Sequence, residues 1–344
     1  MVPDRPDDPI VEYRYVTETR VLTAADIEEY SRLRLEALER DPEAFSASPE
    51  THRALSMNRT LAIRIAVALT FLLGTWIAYT QNQPNQPPQL KVNKVKDDLY
   101  EIESDGGNVA VYVTSEGLIL VDDKYDRDHD AIVAQIKTFS SAPVKYIFST
   151  HYHEDHSGGN GKFLPTAEVI STANARAGIV NRVQSNRVGD VQPARIVFTQ
   201  ETSVFLGGKE VRARYFGRGH TNGDAIIYFP ALRTIHTGDM MAGATPLIDY
   251  PGGGSIVEWT RTLDAAMKDL DFDTVIPGHG PVTNKAGLAT YRNNIEKERN
   301  QVSEMLRQGQ SAEAIGKMLM ADYKWADKDL HFMWSLPGML KELK

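Results

Sequence analysis

Four side chains able to hold a metal fall within one six-residue run, His151-Tyr152-His153-Glu154-Asp155-His156: they are His151, His153, Asp155 and His156. Such a concentration is hard to explain by packing. A single loop cannot aim all four at one ion. With His151 and His153 facing one way, Asp155 and His156 can face another, which suits two metals. Further along come Gly219-His220-Thr221, His236-Thr237-Gly238-Asp239 and Pro277-Gly278-His279-Gly280. The chain has no cysteine, so any metal must be held by His, Asp or Glu. Imidazole and carboxylate suit Zn²⁺, and Fe and Mn accept the same donors. Metal binding lowers the pKa of water to about 7, which makes hydroxide available at neutral pH to attack a carbonyl or similar electrophile. No G-x-S-x-G elbow is present, and this chemistry needs no serine nucleophile.

Each motif follows a predicted strand, which puts its polar side chains in a loop at the rim of a core, where ligands can converge. Short strands are expected at 98–104, 108–114 and 118–122, and a helix at about 127–139 with Ile132, Val133 and Ile136 on one face. A buried strand, VKYIFST, runs into the first motif. SVFLGGKEVRARYF reads as a hairpin turning at Gly207-Gly208. Strands at 225–229 and 233–237, a helix at about 257–270 and a strand at DTVIPG follow. Strands in runs with helices interspersed fit sheets covered by helices.

The ordered set H-x-H-x-D-H, G-H-T, T-G-D and P-G-H-G resembles the metallo-β-lactamase superfamily over residues 90–344. The resemblance implies an αββα four-layer sandwich, α+β in class, with the metals at one edge between the sheets. It implies that His151, His153 and His220 hold a first metal, and Asp155, His156 and His279 a second. Asp239 matches the bridging aspartate of glyoxalase II-like members, where the cysteine-bearing β-lactamases carry Cys. Asp155 and Asp239 are the carboxylates expected at the reaction centre. Two divalent ions, these two aspartates and one bridging hydroxide leave a single positive charge for a developing oxyanion. Asp122, at the end of LILVD, is expected to orient a ligand histidine, with Asp123 as the competing choice. Asp224 either supports a ligand or forms a turn. Thr150 and Thr221 flank ligands and satisfy either these or the local backbone. The expected enzyme is a dinuclear zinc hydrolase acting on a small amide, lactam, lactone or ester. β-Lactam hydrolysis is the leading named activity, and a glyoxalase II-like thioesterase is the alternative.

Other residues have weaker claims. His236 reads as structural, and His52, His129 and His331 as solvated or packed. Tyr250 and Pro251-Gly252-Gly253-Gly254 form either a substrate-side loop or a connector. Met318, Met320, Trp325, Phe332, Met333 and Trp334 read as packing residues. The net charge of -8 is uneven: residues 1–56 carry -6 and residues 57–344 only -2. The catalytic region therefore lacks the basic excess of a nucleic-acid binder. A small-molecule substrate is expected, and no protein partner is evident.

Ahead of this region, about 15–50 resembles the N-terminal end of GNAT acetyltransferases, with an amphipathic helix from about Ala24 to Glu39. The family's R/Q-x-x-G-x-G/A loop is missing, so 1–56 reads as a fragment or an acidic extension. Arg59 and Arg64 precede an uncharged run, Ile65 to Tyr79. The segment 57–80 reads as a signal peptide or membrane anchor, and the Gln/Pro/Asn-rich 81–89 as a linker. Both readings place the enzyme outside the cytoplasm, in the periplasm, secreted or anchored to the inner membrane through 65–79.

Overall fold

The computed structural model describes residues 89–184, 191–326 and 331–344, together with Arg32, Leu33 and Glu36. The chain divides into two compact units, Met1–Pro84 and Asn85–Lys344. In the first, the three described residues are helical, within the helix expected over 24–39, and Arg32 pairs with Glu36 at 3.5 Å. The leader or anchor expected over 57–80 and all of the linker except Gln89 lie outside the described residues. No helix among the described residues is long and apolar enough to cross a membrane.

The second unit is built on two sheets. The first holds β1 (Lys91–Lys96), β2 (Leu99–Glu103), β3 (Val109–Thr114), β4 (Gly117–Val121), β5 (Val144–Phe148), β6 (Glu168–Thr172) and β7 (Ile196–Phe198), side by side in chain order. The second holds, in spatial order, β13 (Thr283–Asn284), β12 (Thr274–Ile276), β11 (Thr234–His236), β10 (Ile226–Phe229), β9 (Lys209–Arg214) and β8 (Glu201–Leu206). Helix α1 (His129–Ile136) packs on the outer face of the first sheet. Helices α5 (Ile256–Asp269), α6 (Lys285–Arg307), α7 (Ala312–Tyr323) and α8 (Leu336–Glu342) contribute to the core on the outer face of the second. The short helices α2 (Glu154–Ser157) and α3 (Asn160–Phe163), and the longer α4 (Ala173–Gln184), follow β5 and β6.

Alternation along the strands produces the layers. In β4, Leu118 and Leu120 face α1 with Ile132 and Ile136, while Ile119 and Val121 enter the core between the sheets. Both faces are covered, so the strand reads as an unbroken apolar run. From the second sheet, Val211, Ala213, Ile227, Phe229 and Ile276 meet that inter-sheet core. Phe148 lies fully buried in it. Phe148→Ala should cost about 3–5 kcal/mol of unfolding free energy, read as a lower midpoint in urea with an unchanged slope.

Topology gathers the functional loops at one edge. β4, β5 and β6 run parallel, so the segments after β4 and β5 leave the first sheet at the same end. β11 and β12 are also parallel, which does the same for the segments after them. β10 is antiparallel to β11, with Ile227 opposite His236, so the loop entering β10 sits beside the exit of β11. Asn108, just before β3, joins the sheets at this edge. Its Nδ2 donates to Pro277 O at 3.0 Å and Gly280 O at 2.8 Å, and Gly278 O accepts from its backbone N–H at 2.7 Å.

Several elements were not anticipated. The KVNKVK sequence of β1 hides a strand behind lysines, residues that suit an exposed sheet edge. β6, β7 and α4 were also missed. The Gly207-Gly208 hairpin is present, with φ of 55° and 75°, the positive values that a tight two-residue turn requires.

Candidate metal centre

Five loops deliver the site. The β4 exit supplies Asp122, and the β5 exit supplies Thr150 to His156. The loop between β9 and β10 supplies His220. The β11 exit supplies Asp239, and the β12 exit supplies His279. His151, His153, His220 and Asp239 present ligand atoms within 4.8 Å of one another, and so do Asp155, His156 and His279. The seven side chains expected at the centre thus converge as two adjoining groups.

The histidines are oriented from behind. His151 Nδ1 lies 3.1 Å from Thr150 Oγ1, which itself donates to Asp122 Oδ2 at 2.8 Å; Thr150 therefore accepts from His151. His156 Nδ1 donates to Asp122 Oδ2 at 2.8 Å, and His220 Nδ1 to Leu247 O at 2.6 Å. His153 is reversed: its Nε2 donates to Asp249 Oδ2 at 2.8 Å. Each outer nitrogen thereby carries the hydrogen. His151 Nε2, His153 Nδ1 and His220 Nε2 are left with lone pairs that face one another at 2.9–3.1 Å. Lone pairs crowded in a buried site repel one another unless a cation lies among them. Partners that fix imidazoles in this way are characteristic of metal ligands.

Asp239 touches both groups. Its Oδ1 lies 3.1 Å from His156 Nε2 and 3.5 Å from His279 Nε2, and its Oδ2 lies 3.6 Å from His220 Nε2. Oδ1 is buried and makes no hydrogen bond among the described residues. A buried carboxylate oxygen that faces imidazole nitrogens without a well-formed hydrogen bond is poorly satisfied, and a cation would relieve it. The donor set therefore fits divalent metal ions.

The electrostatics agree. Burial disfavours charge on His156, but Asp239, Asp155 and Asp122 outweigh it and raise the pKa well above the usual value. His279 is likewise raised to about 9, because Asp239 and Asp155 overcome its burial. Burial would raise Asp155, but His156 and His279 lower it to about 2. Without metal, protons occupy the role of the cations, and metal loading must release them. On the other side, burial pushes His151 and His153 down and keeps them neutral, as ligands must be.

Glycine is demanded at two points of closest approach. A Cβ at position 107 would collide with the His156 ring, and one at 278 with Asp239 Oδ1. Lys124 fixes the first of these loops. It is fully buried and donates to Ser104 O and Gly107 O, both at 2.6 Å; burial lowers its pKa to about 8.

The family model described as "Metallo-beta-lactamase superfamily" matches residues 103–279. The chain belongs to that superfamily. It is a metal-dependent hydrolase with the superfamily's two-sheet fold. A metallo-beta-lactamase type 2 from Elizabethkingia meningoseptica is 23% identical over 206 residues, 56% of this chain and 80% of its own length. The 2,4-dinitroanisole O-demethylase subunit alpha of a Nocardioides strain is 31% identical over 144 residues, 41% of this chain and 42% of its own. The solved metallo-beta-lactamase from Pontibacter korlensis superposes with a TM-score of 0.54 at 18% identity, over 60% of this chain and 99% of its own. The acetyltransferase-like reading of residues 15–50 gains no support from these relatives.

Within this superfamily member, Asp122 rather than Asp123 reaches a ligand histidine; Asp123 accepts from Gly159 N at 2.9 Å. Of the two readings of Asp224, support of a ligand or a turn, the bonds among the described residues are those of a turn. Its carboxylate accepts from Thr221 N at 2.8 Å and Thr221 Oγ1 at 2.5 Å, closing the bend after His220. His236 is structural: Nε2 donates to Asn108 O at 3.0 Å, Nδ1 accepts from Gly238 N at 3.1 Å, and burial lowers its pKa to about 4. His52 lies outside the described residues, while His129 pairs with Asp130 at 2.8 Å.

Three residues were misjudged. Trp334, read as packing, lines the cavity above the metal ligands, with its ring 5.6 Å from that of His153. Met333 beside it is 59% exposed. Asp249 was passed over in favour of Tyr250, although it holds His153, accepts from Tyr152 Oη, and takes Gly252 N at 2.9 Å. Its signal was an aspartate directly before a glycine-rich turn. Nothing in the sequence tied that turn to His153.

Proposed function

We propose that this hydrolase holds two divalent metal ions, zinc foremost, and cleaves a small amide, lactam, lactone or ester. His151, His153 and His220 would hold one ion, and Asp155, His156 and His279 the other, with Asp239 between them. The observation that carries this reading is the placement of the two Asp239 oxygens toward different histidine groups. When bound, such ions supply Lewis-acid polarisation of the substrate carbonyl and a lowered pKa for water.

The chain's own groups do the rest. Asp122, Asp249 and Leu247 O keep the histidines in the tautomers that point lone pairs inward. Asp155, partly open to solvent beside His279, stays ionised and so is ready to hold the second ion at the cavity wall. Trp334, Tyr125 and Leu247 supply apolar surface to the cavity lining.

A β-lactam is the first substrate to test, since several relatives are named β-lactamases. A glyoxalase II-like thioesterase is the second reading, favoured by Asp239 in a chain without cysteine. Export remains a proposal that rests on the sequence of 57–80. The full-length protein, loaded with zinc and dialysed, should approach two metals per chain by elemental analysis. It should turn over at least one of nitrocefin, a simple lactone and S-lactoylglutathione. A firm stoichiometry of one, unaltered in His156→Ala, would refute the dinuclear reading.

A further inference from the structure

Two hollows adjoin beside the metal ligands. The cavity over Asp155, Asp239 and His279 measures about 460 Å³. A second, of about 430 Å³, has Asn174, Asn222 and Gly252-Gly253 among its walls, with Asp249, whose carboxylate is already bonded to His153 and Tyr152. Arg182 and Trp334 line both, so the hollows meet there.

Arg182 is the only lysine or arginine among the described residues lining the metal-side cavity. It lies near the end of α4 and is partly buried. Its guanidinium sits 5.1 Å from the centre of the Tyr152 ring, whose own centre is 4.7 Å from that of His153. Stacking on Tyr152 aims the charge without neutralising it. Among the described residues no carboxylate forms an ion pair with Arg182. On the opposite side of the cavity, near His279, the lining residues Ala242, Gly243 and Thr245 offer no cation.

A pre-oriented guanidinium with no carboxylate partner among the described residues is suited to a planar anion, which it can hold through two parallel hydrogen bonds. The asparagines of the second hollow supply further polar contacts for such a group. We propose that Arg182 anchors a carboxylate at the far end of the substrate, seated in the asparagine-lined hollow while the bond to be cleaved lies over the metal ligands. The substrate class is then an elongated ester, amide or lactam that carries a carboxylate beyond its scissile carbonyl. Only the placement of the scissile bond rests on the hydrolase reading above; the anion seat stands on its own geometry.

The test uses the metal-loaded full chain and matched probes. Mono-4-nitrophenyl glutarate carries the carboxylate, and 4-nitrophenyl butyrate is its neutral counterpart. The ratio of kcat/KM, charged over neutral, should fall about 10-fold or more in Arg182→Gln, with the loss mainly in KM. Arg182→Lys keeps the charge and should recover part of the ratio, which separates lost charge from misfolding. Calorimetry with glutaranilic acid and neutral butyranilide reads the same seat without turnover. If neither ester is cleaved, yet the wild type prefers the acid and Arg182→Gln loses that preference, the anchor stands and the esterase chemistry fails. If the esters are cleaved and the ratio is the same in wild type and Arg182→Gln, the anchor is overturned and the hydrolase reading survives. A wild-type protein with no preference for the acid in either assay also overturns the anchor.

Discussion

Asp239→Ala should lose metal from the Asp155–His156–His279 group and reduce kcat on the order of 100-fold or more. Residues that only support a ligand cost 10–100-fold in affinity or activity when removed, so the loss for Asp239 itself should be at least as large. Its carboxylate is buried and both oxygens face imidazole nitrogens. In the metal-bound protein it would offset part of the repulsion between two nearby cations. Asp239→Asn keeps the volume and removes the charge. It should bind the second ion weakly while leaving the fold intact, because the inter-sheet core does not include this side chain. Asp239→Cys should regain part of the metal, since a thiolate is also a single anion and a good zinc ligand. Elemental analysis and steady-state kinetics on the three variants, with thermal unfolding in parallel, measure the effect. An Asp239→Asn protein with two metals and the parental rate would show that the carboxylate merely caps a turn.

The legible part of this molecule was the part with a short period or a rare composition. A short unbroken apolar run exposed β4, turn glycines the Gly207-Gly208 hairpin, and helical spacing of apolar residues α5, because each carries its burial pattern within a few residues. The seven candidate ligands were legible because histidines and aspartates so closely spaced have few other uses. What escaped notice depends on contacts distant in sequence. Lys124 reads as a surface lysine until Ser104 and Gly107 close over it. Trp334 sits in an apolar, methionine-rich tail that resembles packing, and only the return of that tail to His153 makes it part of the site. Asp224 was legible only as a choice. Its nearness to His220 in sequence allowed support for the ring, whereas a short side chain near a turn bonds most easily to the backbone two or three residues away, as it does to Thr221 N.

Asp249 is the clearest case of a function set by distance, since 96 residues separate it from His153. Among the ligand histidines, His153 alone is seen to present Nδ1 inward and its outer Nε2 to a carboxylate. An imidazole in isolation favours this tautomer only modestly. Asp249 fixes it, because a carboxylate accepts and cannot donate. Burial would raise its pKa, but the contacts with His153 and Tyr152 lower it to about 2. It therefore remains ionised throughout the range in which an enzyme of this kind is assayed. Asp249→Asn places an amide where it can donate toward Nε2. The ring can then turn its hydrogen inward, to the position that the metal should occupy. The expected result is a 10–100-fold loss of affinity for the ion held by His151, His153 and His220. The other ion should be affected less, because Asp122 orients His156 independently. Competition with a chromophoric chelator would resolve the two affinities. Tyr152→Phe serves as the control: it removes the hydroxyl that also bonds Asp249 but leaves the carboxylate on His153. If Asp249→Asn and Tyr152→Phe weakened both ions equally, Asp249 would be supporting the loop as a whole rather than the tautomer of one ring.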